Sequence, residues 1–456
     1  MTTTAFLPTL NEGAKTPADA LPACALPDSP LAGVLPGINA CVHCGFCLQA
    51  CPTYLTLEDE NESPRGRIFL MRSLLEGTVK VDDPSVHAHI DRCLGCRACE
   101  TACPSGVPYG HLLEATRATI REARPTPFVA RLILWVFAHR RLLRAAMFAS
   151  RLLAATPIPT VLSRTNGRLG FGMAMLASAG SPLERDPYPT PAGGERGTAS
   201  LLLGCVMEGL FTDTNRATER VLRMNGYATV PAPRQGCCGA LHAHTGDLDT
   251  ARTLARRNIA VFEASGTDVI AVNSAGCGAM MKEYGHLLHD DGEWSARAEA
   301  LSARVRDVSE LLAAAGPVTG GALPLRVTYD APCHLVHAQR VVTQPLSVLA
   351  AIPGLELIPL RDSENCCGSA GIYNLIEPDT SDAVLVPKLE NIAETGAPLV
   401  ATGNPGCLMQ IGAGLLRSGS SARAIHPVDL LDASYAGSSG PAEIEKTLAV
   451  SPQSAI

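Results

Sequence analysis

The chain has 456 residues, 46 % of them hydrophobic, and a formal net charge of -7 at pH 7. That length can bury more than one core and predicts two to four domains, while the acidic balance excludes a general attraction to nucleic acid. Seventeen cysteines are the compositional outlier, and no apolar run reaches the roughly 18 residues needed to span a bilayer.

Residues 1–36, opening MTTTAFLPTLNEGAK, are rich in Pro, Ala and Thr and lack hydrophobic periodicity, which predicts a flexible arm. No basic segment followed by an apolar stretch marks the chain for export, so a reducing, cytoplasmic compartment is expected. Thiols stay free for metal there, and their bunching into C-x-x-C runs favours ligation over cross-linking. Cys24 stands outside every cysteine motif and is not assigned as a ligand.

Residues 37–125 form a cysteine-rich unit. Cys41-Val-His-Cys44-Gly-Phe-Cys47-Leu-Gln-Ala-Cys51-Pro is a C-x2-C-x2-C-x3-C-P run, and Cys93-Leu-Gly-Cys96-Arg-Ala-Cys99-Glu-Thr-Ala-Cys103-Pro repeats it. Three closely spaced thiolates wrap one 4Fe-4S cube, and the fourth, set off by the following Pro, reaches the neighbouring cube. That rule assigns Cys41, Cys44, Cys47 and Cys103 to cluster one, and Cys93, Cys96, Cys99 and Cys51 to cluster two. Four thiolates also suit tetrahedral zinc, but zinc modules usually separate their pairs by a longer spacer and need no Pro after the fourth Cys. Between the runs, Ser63 suits an N-cap, Pro64 the first helical position, RGRIFLMRSLLE carries helical apolar spacing, and Gly77 ends the helix. A second helix is expected from Asp83-Pro84 toward Cys93, making this a helical ferredoxin. Arg65, Arg67, Arg92 and Arg97 are near enough in sequence to offset cluster charge, though most of them are expected to be solvated surface.

Residues 126–196 read as a basic amphipathic connector. From 123 to 183 there is no Asp or Glu but eight Arg. At 100° per residue from Arg131, Arg140, Arg144 and Arg151 fall near one face, with Leu142, Leu143, Ala146, Met147 and Leu153 mostly opposite. Such a helix either covers a core or lies on anionic lipid.

Residues 197–320 and 321–435 carry one α/β pattern twice. LLLGC, YATVPAP and TDVIAVNSAGC are strands interleaved with the helices NRATERVLRMNG and RTLARRNIAVFEASG; LRVTYDAPC, LELIPL, KLENIAETG and PLVATGNPGC repeat the pattern. The offsets Cys205 to Cys333, Cys237 to Cys366 and Cys277 to Cys407 are 128, 129 and 130, the mark of a duplication. In each half the cysteines follow strands, where open α/β sheets bind ligands. The vicinal pairs Cys237-Cys238 and Cys366-Cys367 sit in Gly-bounded loops, so four thiols converge per half. His242, His244, His334 and His337 lie nearby and are read as packed or solvated. Residues 436–456 read as a disordered tail.

The strings ACVHCGFC, CPTY, SPRGRI, DRCLGCRACETACPSGV, CCGSAGIYNL and TGNPGCLMQIGAG, with two CCG units after a double ferredoxin motif, resemble the iron-sulfur subunits of glycolate dehydrogenase (glycolate oxidase). The resemblance implies an α+β multidomain chain: an N-terminal helical two-cluster ferredoxin domain, then two duplicated α/β CCG domains. One departure matters. CCG domains that hold an unusual iron-sulfur cluster end in C-x-x-C, whereas the positions three beyond Cys277 and Cys407 are Met280 and Gln410. Each half is left with an ordinary cluster on four ligands, a metal-free thiol site, or a structural relic.

No nucleophile and base pair, P-loop or Rossmann fingerprint is present, so no catalytic residue is assigned. Clusters carry single electrons, and oxidation of a 2-hydroxy acid yields two, so a flavin must split the pair. The resemblance implies FAD on separate partner subunits, electrons passing through this chain toward a quinone or another acceptor, and a peripheral place on the cytoplasmic face of the inner membrane. The same role for lactate or glycerol-3-phosphate is the alternative substrate reading, and a zinc-organised scaffold the alternative class.

Overall fold

Each duplicated half builds a four-stranded parallel sheet. In the first, β1 (Thr198–Leu201), β2 (Ala228–Thr229), β3 (Val269–Val272) and β4 (Val305–Asp307) lie in the order β2-β1-β3-β4. In the second, β5 (Arg326–Tyr329), β6 (Glu356–Ile358), β7 (Leu399–Ala401) and β8 (Arg423–Ile425) repeat it as β6-β5-β7-β8. The registers correspond, with Ala199 opposite Val269 in one half and Val327 opposite Leu399 in the other. The computed structural model describes residues 24–124, 126–183 and 188–437.

The sheets do not stand apart. Ala199, Val221, Leu222, Leu312, Val327 and Leu399 are all 0 % exposed within one apolar core that draws on both halves. Full burial of each large aliphatic side chain there contributes roughly 1.5–3 kcal/mol. Arg220 and Asp432 add an ion pair of 2.5 Å across the same seam.

Among the described residues 24–124 there is no strand, only helices, among them Pro30–Gly33, Leu35–Asn39, Pro52–Leu57, Pro64–Leu75, Pro84–Asp91, Ala98–Thr101 and Tyr109–Ala123. The expected caps form. Ser63 Oγ accepts from the Gly66 amide at 2.9 Å, and Asp83 Oδ1 accepts from the Ser85 amide at 2.8 Å.

Three expectations need correction. The arm expected over 1–36 is folded where it is described, from Cys24 on. Leu31 is fully buried, its amide donates to Thr119 Oγ1 at 3.1 Å, and the Ala25 amide donates to Leu75 O at 2.8 Å; a few apolar residues suffice to tie it down without periodicity. The basic connector is not one helix. It breaks at His139 into Phe128–Ala138 and Arg140–Ala154, and Ile158–Leu162 and Gly167–Ala177 follow. The His139 backbone is extended and its Nδ1 meets Trp135 O at 2.7 Å, so the side chain supplies the partner that a continuing amide would have given. Finally, β4 and β8 were missed because three residues with a central or leading Arg are too short for alternation to register. The expected tail lies outside the described residues from 438 on.

Candidate metal centres

The two ferredoxin loops share a backbone device. His43 and Gly45 flank Cys44 with φ of 53° and 88°, and Gly95 and Arg97 flank Cys96 with φ of 62° and 65°. A left-handed residue on each side of the middle cysteine curls the chain so that three sulfurs point to one centre. One hollow is lined by Cys41, Cys44, Cys47, Cys99 and Cys103. A second is lined by Cys51, Cys93, Cys96 and Cys99. The last cysteine of each run has therefore crossed to the other run's hollow, and Cys99, Pro64 and Tyr109 line both.

The hollows differ in depth. Cys44 is exposed and Cys41, Cys47 and Cys103 are half-buried, whereas Cys51, Cys93, Cys96 and Cys99 are all buried. Burial pushes the Cys47 thiol up to about 11 and holds Cys96 and Cys99 well above the ordinary thiol value. Buried sulfurs this close cannot all ionise alone; bound cationic iron is what makes the thiolate form stable. The donor set fits.

Arg67 lies behind the second hollow and is 0 % exposed. Its Nε donates to His89 O at 2.7 Å and its Nη1 to Thr53 Oγ1 at 3.1 Å, while Nη2 meets Glu62 Oε2 at 2.5 Å. Burial alone would lower its pKa, but Cys93, Tyr109, Cys51 and Glu62 outweigh it and raise the guanidinium above its usual value. The expectation that most of the four arginines are solvated is corrected: Arg67 is enclosed, and Arg97 is 13 % exposed and paired with Glu100 and Glu283. Charge made these residues read as surface, and only the fold reveals that each has carboxylate partners inside.

In the duplicated halves the four cysteines converge at the ends of the central strands. Cys238 and Cys277 sulfurs are 3.2 Å apart, and Cys205 and Cys238 flank Cys237, whose thiol their hydrogen bonds hold well below the ordinary range. In the second half Cys367 and Cys407 are 3.4 Å apart; hydrogen bonds to neighbouring thiols and burial push Cys366, Cys367 and Cys407 up. Gly239 and Gly368, with φ of 95° and 85°, turn the chain directly after each vicinal pair. Met280 packs in the apolar core of the first half. Gln410 is fully buried, donating to Ser381 Oγ at 2.9 Å and accepting from Asn374 at 2.8 Å, so both ends of its amide are occupied.

The two halves stand differently toward the ferredoxin unit. Cys96 shares one small buried core with Cys333, Cys366 and Tyr373, and Tyr373 Oη donates to Arg92 O at 2.9 Å. The first-half quartet has no cysteine in that core. The histidines line these seams: His242 meets Leu134 O at 3.1 Å, His244 meets Glu114 at 3.1 Å, and His337 meets Thr101 Oγ1 at 2.9 Å. His334 lies 3.6 Å from the Cys333 sulfur, and burial lowers its pKa to about 3. The spacing of the cysteines carried no sign of this juxtaposition, which follows from how the units dock.

Residues 37–107 match the 4Fe-4S dicluster domain family, and residues 199–282 and 327–412 match the cysteine-rich domain family CCG. Over 412 residues the chain is 37 % identical to a probable glycolate oxidase iron-sulfur subunit of Bacillus subtilis (strain 168), spanning 86 % of this chain and 92 % of the relative. It is 36 % identical over 380 residues to the glycolate oxidase iron-sulfur subunit of Escherichia coli (strain K12), spanning 81 % and 88 %. A lactate utilization protein A from an Exiguobacterium species is 29 % identical over 235 residues, which is 51 % of this chain and 96 % of that one.

Proposed function

This chain belongs to the family of glycolate oxidase iron-sulfur subunits, and from that premise we propose that it conducts electrons from a separate FAD-bearing subunit, where glycolate is oxidised to glyoxylate, toward a quinone. Two 4Fe-4S clusters supply one-electron chemistry, taking singly the electrons that a flavin gathers in pairs. Cys41, Cys44, Cys47 and Cys103 would hold the first, and Cys51, Cys93, Cys96 and Cys99 the second. The observation that carries the reading is the pair of sulfur-lined hollows with Cys99 and Tyr109 in their common wall.

The chain's own residues set the direction. Cys44 and its neighbours Val42 and Phe46 are exposed, so the flavoprotein docks at the outer hollow. The inner hollow lies against Cys333 and Cys366, which makes the second quartet the adjoining redox or metal site. Lactate is the weaker substrate, because the relative named for lactate utilization matches only about half of the chain. The protein is peripheral on the cytoplasmic face of the inner membrane; among the described residues no helix is long and apolar enough to cross a membrane.

Anaerobically purified complex is expected to be brown, to contain at least about eight irons per copy of this chain, and to lose flavin-to-acceptor transfer in Cys44→Ser. Unchanged transfer, or a colourless zinc protein, would defeat the proposal.

A further inference from the structure

We propose that this chain docks directly on an anionic bilayer surface through the outward faces of its Phe128–Ala138 and Arg140–Ala154 helices. The inference rests on the reading that electrons leave toward a membrane-borne acceptor, and it adds the surface that reaches the membrane.

The two helices are joined by His139 alone and are anchored from behind. Ala130 and Leu134 pack with Ile372, Leu143 is buried, Met147 sits against Gly209, and Arg151 donates to Glu208 O at 3.1 Å. Their inner faces are thus accounted for. Among the described residues nothing covers the exposed side chains of their outer faces. On the first helix Phe128, Leu132 and Trp135, at i, i+4 and i+7, form an exposed stripe, with Phe128 68 % and Trp135 51 % open. On the second, Phe148 at 62 % and Leu152 at 57 % are exposed on the same helix as the exposed residues Arg140, Arg141 and Arg144. Exposed apolar residues of this size on the cationic face do not belong to a helix that merely shows water its polar side.

The charge selects the occupant. Arg131, Arg140, Arg141 and Arg144 form no ion pair among the described residues, and residues 123–183 hold eight Arg with no Asp or Glu in a chain whose net charge is -7. A surface of one sign, with aromatic and aliphatic groups between the charges, complements a sheet of anionic headgroups over hydrocarbon. Arg supplies headgroup contacts, and Trp135 and Phe148 reach the boundary of the acyl region.

The test uses the full chain with its clusters, floated with vesicles of phosphatidylcholine alone or mixed with phosphatidylglycerol. Binding is expected to the anionic vesicles, weakening as salt rises. Arg140→Glu, Arg141→Glu and Arg144→Glu together are expected to cut partitioning by at least about tenfold, with iron content unchanged as the control for folding. In a Trp294→Phe background, fluorescence of the remaining Trp135 is expected to shift to shorter wavelength on binding. Failure of the wild-type chain to float, or equal flotation of the triple variant, overturns the proposal. Loss of co-purification with the flavoprotein in the triple variant, without any vesicle binding by the wild type, also overturns it and assigns the face to that subunit. Flotation needs no turnover, so a negative result with intact flavin-to-cluster transfer sinks the docking surface alone.

Discussion

Arg67 shows what a single side chain does behind a metal-binding hollow. It is enclosed between Glu62, Thr53 and the carbonyl of His89, and Glu62 in turn meets His89 at 2.7 Å and Arg92 at 2.8 Å. Removing one member of a lone buried pair costs about 3–5 kcal/mol; Glu62 keeps Arg92 and His89, so the loss here falls below that. Arg67→Met is therefore expected to lower the thermal unfolding midpoint and the iron content together, measured by calorimetry and metal analysis on the same preparation. Arg67→Lys would recover only part of both, because an ammonium cannot reproduce the guanidinium fork. The grouping of the eight ferredoxin cysteines was legible in the sequence, because closely spaced thiols must lie close in space, and the same groups line the two hollows. Arg67 was not, since an arginine in an amphipathic helix looks the same whether its partner is water or a carboxylate folded behind it.

At the level of elements, the helix over Pro64–Leu75 was readable from Ser63, Pro64 and its apolar spacing, whereas the break at His139 was not. Residues 131–153 keep a helical pattern straight through it, and the interruption depends on a side chain bonding its own preceding turn. The contact between the Tyr109–Ala123 helix and the first α/β half was equally hidden. Gly246 has a φ of 78°, and a Cβ there would fall 2.5 Å from the Arg117 carbonyl carbon. Gly246→Ala is expected to destabilise the protein by roughly 2–3 kcal/mol in urea unfolding, combining left-handed strain with a backbone clash. Gly266→Ala, at φ 64° with open space around it, should cost only the backbone part, about 1 kcal/mol. Equal costs for the two would show that the close approach to Arg117 does not matter.

At the scale of the molecule, the duplication was foreseeable from cysteine offsets, but neither the sheet order nor the seating of the halves on the ferredoxin unit was, because both depend on side chains far apart in sequence. Glu283, from the first half, meets Arg97 in the second ferredoxin loop. Burial opposes its charge, yet His111 and Arg97 outweigh that and hold its carboxyl near 2, against an ordinary 4.5. A depressed folded pKa gives stability that is complete above the ordinary value and is lost as pH falls toward the folded one. The difference in unfolding midpoint between the wild type and Glu283→Gln should therefore be full near pH 7 and close below about pH 4.5; a pH-independent difference would remove the ion pair from the account. The graded burial of the ferredoxin cysteines carries its own consequence for handling. Cys44 opens to solvent while Cys51, Cys93, Cys96 and Cys99 do not, so dioxygen meets the chain at one end first. Aerated samples should bleach in two stages, the shallow centre decaying while the deep one persists.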